Sequence, residues 1–453
     1  MIRIGYPSGF WGDDPGGPAQ IIDREPDVDY LAMDYLAEVT MAILKRQQTE
    51  DASLGYARDF PAMVGRILPD LVEQDIGLVA NAGGVNPTAC QESVLEVAAD
   101  AGFDVAVAAV TGDDILSQVP AFRDRGVDFD NMDTGAPFEE IADDLIAANA
   151  YLGAFPIAEA LEQGADIVVT GRCVDAATVL GPLVHEYGWT ENDLDRLSSG
   201  VIAGHILECG AQATGGNFLG GWQDVDFTDI GFPIVEMAPD GEFVVTKPEG
   251  TGGMVTEATV KEQLVYEITD PRSYVVPDVT ADFTSLQLAQ AGADRVRVSG
   301  CRGRSPPEDL KVTALYQDGY KAQVLFTYSW PDALEKARRA DEIVRERLER
   351  AAVDLDEIHT EFLGYDGCHG AIAPEPVDPN EITLRIVARA SEKAPLHEFG
   401  QQAIPIALGG PPNVTAVVDG RPKPTEILSF WPCTVPRELV DVDVSVASSG
   451  GTA

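Results

Sequence analysis

His205, Glu208 and Gln212 stand at i, i+3 and i+7 in GHILECGAQ, a spacing that places all three on one helical face. A histidine beside a carboxylate makes an acid–base pair, because the carboxylate selects the imidazole tautomer and raises its basicity. A hydrogen-bonded core histidine gives the same pattern. As metal ligands the pair is one or two groups short, so no metal is expected. Arg172 is a cation able to grip a carboxylate or phosphate in two places at once. Asp175, three residues on, either orients that arginine or caps the following helix. Cys173 is expected at a helix N-terminus, where a thiol pKa falls. With Cys209 it leaves thiol-based hydrolysis or transfer as a third chemistry.

Elements of one kind must position these groups. Short apolar runs at 2–6, 76–80, 105–110 and 167–170 lack polar alternation, as strands buried on both faces do. Three of them run into glycine-containing turns. The first leads to Ser8 and Asp13, the second to Asn81, Gly83, Gly84 and Asn86, and the last to Arg172 and Asp175. In an open parallel sheet, ligands collect beyond the carboxyl ends of the strands, so the three turns are expected to line one crevice. Two later loops, Gly215-Gly216-Asn217 and Gly252-Gly253, offer backbone N–H groups suited to an anion. Tight connectors would read the same way.

Between the runs lie helix signals. Met63, Val64, Ile67, Leu68, Leu71 and Val72 are at helical spacing, with Pro69 inside. Asn86-Pro87 reads as an N-cap followed by proline at the first helical position, and Gly102 as the stop. Strands alternating with helices imply an α/β domain with a mostly parallel sheet over 1–225. From 226 to 445 the texture is α+β with antiparallel strands, in GEFVVTKPEG, in ITLRIVARA and on either side of a QDGY turn signal. A charged helix is expected over 331–352, and 446–453 reads as a flexible tail. The two domains are expected to share a cleft.

The chain has 75 acidic and 31 basic residues, a formal net charge of −44. Such a field repels phosphate backbones and anionic lipid, which argues against nucleic-acid and membrane partners. It also strains a compact fold unless salt screens it, so the composition reads as halophilic. Six well-separated cysteines with no CxxC fit a reducing cytoplasm, and neither a signal peptide nor an apolar stretch of membrane length is visible. GxxxxGK[ST], HExxH, GxSxG and a clean GxGxxG are all absent, which moves nucleotide hydrolases, ordinary dehydrogenases and serine hydrolases down the order.

In order along the chain, SGFWGDD, MDYLAEVTMAIL, NAGGVNP, TGRCVDAATVLGPLVHEYGW, GHILECGAQATGGNF and GTGGMVTEATVKEQLVYEITDP resemble the acyclic terpene utilisation family AtuA. The stretches RVSGCRGRSPPEDLKV, GRPKP and WPCTVPREL look like the rest of the same family. The resemblance implies a place in the breakdown of acyclic terpenoids and branched acids as coenzyme A thioesters. It carries over no catalytic residue and no cofactor beyond coenzyme A as part of the substrate. The expectation is an enzyme acting on a branched acyl-CoA or its carboxylated derivative, lyase- or hydratase-like. Arg172 and Asp175 with His205 and Glu208 would be its catalytic groups, and the glycine-containing loops would bind substrate. The alternative is a non-catalytic partner of acyl-CoA carboxylase subunits. Longer members carry an extra C-terminal domain, so a separate small subunit is a further expected partner, with a homo-oligomer as the default assembly.

Overall fold

The apolar runs at 2–6, 76–80, 105–110 and 167–170 each become a strand of one sheet: Ile2–Gly5, Gly77–Ala80, Ala106–Thr111 and Ile167–Thr170. The computed structural model describes residues 1–416 and 420–450. The chain divides into two units, Met1–Ala314 with the chain from Phe430 onward, and Leu315–Ser429.

The first unit is built on a ten-stranded sheet. Its centre is five parallel strands in the spatial order Ile2–Gly5, Tyr30–Met33, Gly77–Ala80, Ile167–Thr170, Ala106–Thr111. Tyr30–Met33 is four residues long and buried throughout, and the sequence reading did not pick it out. Ile234–Met237, Phe243–Thr246, Arg295–Ser299 and Gln287–Gly292 extend the sheet on one side, all antiparallel. The expected boundary at 225 therefore falls inside this unit: the texture changes there because the strands turn antiparallel, while the sheet goes on.

On the other side Asp443–Ser448 pairs antiparallel with Ala106–Thr111. The expectation of a flexible tail from 446 is corrected over Val446–Ser448, where the backbone completes the sheet edge. Residues 451–453 of that expected tail lie outside the described residues. Pro87–Ala101, capped by the Asn86 side chain and stopped by Gly102 in the left-handed conformation, packs against Ala106–Thr111, and Phe60–Gln74, with Pro69 inside it, packs against that helix.

The second unit packs Ala333–Arg350 and Lys393–Ala403 against antiparallel strands that include Glu357–Leu363 and Glu381–Ala390. In Glu381–Ala390, Ile382, Leu384, Ile386, Ala388 and Ala390 alternate inward, the period-2 pattern of a half-buried strand. The turn expected at QDGY is corrected: Asp309–Ser329 is one strand through it. Ladder pairing of Tyr320–Ser329 with Glu381–Ala390 and an Asp318–Arg389 ion pair outweigh the local turn preference.

Candidate functional site

The carboxyl ends of the parallel strands open onto a cavity of about 690 Å³, lined wholly by the first unit. Gly9, Asp34, Glu38, Arg172, Asp175, His205 and Glu208 line it from before residue 225, and Tyr274, Val276, Pro277 and Lys311 from after.

Arg172 follows the Ile167–Thr170 strand and is 3% exposed. Its backbone N–H donates to Asp113 Oδ2 at 2.9 Å, and Gly171 makes room for that carboxylate: a Cβ there would lie 2.2 Å from Asp113 Oδ1. Guanidinium Nη1 donates to the Leu36 carbonyl at 3.1 Å and to Asp175 Oδ1 at 2.9 Å, whereas Nε has no partner. The guanidinium lies 4.2 Å from the centre of the Tyr151 ring. Burial opposes its charge, and Tyr151, Asp175 and Asp34 more than restore it, so Arg172 stays protonated. The Tyr151 hydroxyl donates to Glu38 Oε1 at 2.7 Å. Burial pushes the Glu38 carboxyl up, but this hydrogen bond and the Arg172 charge outweigh it and hold the group ionised.

His205 occupies the last turn of Leu194–Leu207, with Glu208 as C-cap. Nδ1 meets Glu208 Oε1 at 2.9 Å, so Glu208 sets the tautomer in which Nδ1 carries the proton. The imidazole is 1% exposed and lies against the Tyr274 and Phe283 rings. Its Nε2 and Glu208 Oε2 are buried without a partner. Burial lowers the His205 pKa and Glu208 raises it more, for a net upward shift. Gln212 departs from the expected helical face, because the helix ends before it and it sits in the Gly210–Thr214 turn, outside the cavity lining.

Asp34 is among the wall residues the sequence reading missed, with Glu38, Tyr274 and Lys311; it follows a strand that the sequence reading also passed over. It is 7% exposed. Its Oδ1 accepts from Asn81 Nδ2 at 2.5 Å and from the Leu36 N–H at 3.0 Å. Asn81 lies behind the wall rather than in it, and its Oδ1 accepts from the Tyr35 N–H. Burial and the neighbouring Asp175 push Asp34 well above the usual carboxylate range, with Arg172 and Asn81 pulling the other way. Ser8 and Asp13 brace the first turn: Ser8 Oγ donates to the Phe10 carbonyl, and Asp13 Oδ2 accepts the Gly9 N–H at 2.8 Å.

The remaining glycine loops are not part of this lining. Gly83 packs so closely that a Cβ would lie 2.6 Å from the Thr170 carbonyl oxygen, and Gly84 takes φ +57° against Leu44. The Asn86 amide donates to the Ala52 and Leu54 carbonyls. The N–H groups of Gly215, Gly216, Gly252 and Gly253 donate to the carbonyls of Gln212, Ala211, Asp229 and Ile230, so the anion nests expected there are spent within the backbone. Asn217, at φ +56°, is exposed beside them. The low thiol pKa expected for Cys173 is corrected as well: the residue is 1% exposed, and burial pushes its thiol up to about 12, as it does for Cys209. Among the described residues no three of His, Cys, Asp and Glu gather as a metal-ligand set, and no helix is long and apolar enough to cross a membrane.

A family model described as acyclic terpene utilisation family protein AtuA matches residues 2–446. Nothing among curated proteins and nothing among solved structures matches the chain.

Proposed function

From the premise that this chain belongs to the AtuA family of acyclic terpene utilisation, we propose that it is an enzyme acting on a branched acyl-CoA thioester or its carboxylated derivative by lyase- or hydratase-type proton transfer. The observation that carries this reading is the buried His205–Glu208 pair in the cavity wall, with His205 Nε2 left unpartnered. Glu208 accepts the Nδ1 proton and leaves the Nε2 lone pair to act as base. That base takes a proton from carbon beside the thioester carbonyl or from a substrate hydroxyl. Arg172 meets the negative charge that develops on the thioester oxygen, or a free substrate carboxylate, where burial strengthens the interaction. Leu36, Val174, Val276, Pro277 and Leu310 supply apolar wall for a branched chain. The cavity has the size of a small-ligand site. Among the described residues its Lys and Arg lining is Arg172 and Lys311 alone, so it suits the acyl end of the thioester rather than its phosphates. In this reading the protein works in the cytoplasm as a homo-oligomer.

Turnover of a panel of branched acyl-CoA thioesters, followed by mass spectrometry, tests it. A positioned general base contributes about 10²–10⁴-fold, so His205→Ala is expected to lose that much with its fold retained. Arg172→Ala is expected to fall comparably. Wild-type turnover in both variants removes the assignment; no turnover by the unsubstituted chain, together with stable co-purification with acyl-CoA carboxylase subunits that both substitutions leave intact, would support a non-catalytic partner instead.

A further inference from the structure

We propose that Asp34 is the acid that complements His205: its carboxyl protonates the hydroxyl leaving from the carbon two along from the thioester carbonyl, making the reaction a reversible elimination of water. The inference rests on the enzyme reading above and deepens it. His205 Nε2 takes a proton from the carbon next to the carbonyl, and the electrons of that C–H bond move into an enolate whose oxygen charge Arg172 meets; the enolate electrons then form the C=C bond. The C–O bond breaks with its electron pair on oxygen, and the Asp34 proton completes water. The enzyme ends with His205 protonated and Asp34 ionised, and proton exchange with solvent resets both. No oxidant, reductant or cofactor enters.

The argument for Asp34 proceeds by comparison with its neighbours. Elimination needs a carboxyl that carries a proton at neutral pH, held still, with an oxygen not already spent. Glu38 is kept ionised by Tyr151 and Arg172. Asp175 is ion-paired to Arg172 at 2.9 Å. Glu208 also has one oxygen fixed and one unpartnered, but it is the carboxylate that raises the basicity of His205, a role it fills only when ionised. Glu267, Glu308 and Asp309 are exposed. Asp34 is buried and has no cation within 4.0 Å among the described residues. Its Oδ1 is anchored by two donors, while Oδ2 takes no hydrogen bond from any described residue. One oxygen fixed and one free, in a residue of the cavity wall, is the arrangement a proton donor requires. Asn81 and Leu36 both act through Oδ1, so Asp34→Asn keeps both anchors and removes only the acid.

The test uses the full-length chain and a branched 3-hydroxyacyl-CoA in D2O, reading water loss and deuterium entry at the 2-position by mass spectrometry. A 3-chloro analogue is run alongside, since chloride leaves without a proton. Asp34→Asn is expected to lose water elimination by about 10²–10⁴-fold while keeping deuterium entry and chloride loss near wild-type rates. His205→Ala is expected to lose all three. The proposal is overturned if Asp34→Asn dehydrates the hydroxy substrate as the wild type does. It is also overturned if Asp34→Asn loses all three readouts together, because Asp34 then only supports the wall. A wild-type enzyme that neither exchanges nor eliminates with any branched thioester brings down the enzyme reading, and this inference with it.

Discussion

At the scale of single residues the site is built from close approaches that allow little change. Gly9 lines the cavity, and a Cβ on it would lie 2.6 Å from the Cys209 carbonyl carbon and 2.8 Å from the Gly210 nitrogen. Both are main-chain atoms and cannot swing aside. Gly9→Ala is therefore expected to cost about 1–3 kcal/mol, the usual penalty of overpacking, read as a lower urea midpoint. Glu208 tunes its neighbour, since His205 titrates above its ordinary value on account of that carboxylate. In the proposed reaction His205 is a base and works in its neutral form, so the acid limb of the kcat/KM profile is expected to follow the His205 pKa. Glu208→Gln removes the charge, lowers that pKa and is expected to move the acid limb to lower pH while the plateau drops. An unmoved acid limb would show that the limb belongs to another group.

At the scale of elements, Asn86 separates capping from binding. It was expected both to start a helix and to touch substrate; its Oδ1 accepts the Ala89 N–H and its amide ties down the 52–54 turn, away from the cavity. Asn86→Ala is expected to cost about 1–2 kcal/mol, as cap removals do, with turnover per folded molecule unchanged. Thermal melting and active-site titration together check this. Four of the five parallel strands were readable because a strand buried on both faces has no polar alternation to obscure it. QDGY misled because a turn motif of a few residues carries little weight against a ten-residue ladder.

At the scale of the whole molecule, charge sets how stability responds to its surroundings. Asp113 and Asp278 are fully buried, and burial raises both to about 6. The unfolded chain releases those protons near pH 4, so between about 4 and 6 the folded state binds more of them, and stability falls as pH rises through that window. A shift of about two units corresponds to about 2.7 kcal/mol per group. Asp278→Asn is expected to flatten its share of the slope, seen in urea midpoints measured from pH 4 to 7. With a net charge of −44, self-repulsion adds to the same trend. Potassium chloride raised from about 0.1 to 1 M shortens the screening length from about 10 to 3 Å and is expected to raise Tm. A Tm that does not move would remove the halophilic reading of the composition.

Composition, buried-strand runs and caps are local properties, and from them the sequence alone determined the α/β class and the strands that carry three of the turns, and it offered the pairing of His205 with Glu208 and of Arg172 with Asp175 beside plainer roles for each. Each of those pairs lies three residues apart, close enough for backbone geometry to join them. Only the tertiary structure decided which loops share a cavity. It took Gly83, Gly84, Gly215, Gly216, Gly252 and Gly253 into packing and backbone hydrogen bonds, buried the Cys173 thiol and half-buried that of Cys209, and carried the sheet past residue 225. It also brought Asp34 beside Asn81, across 47 positions of sequence. A contact of that span leaves no periodic trace in the chain, because it depends on which strands become neighbours in the sheet.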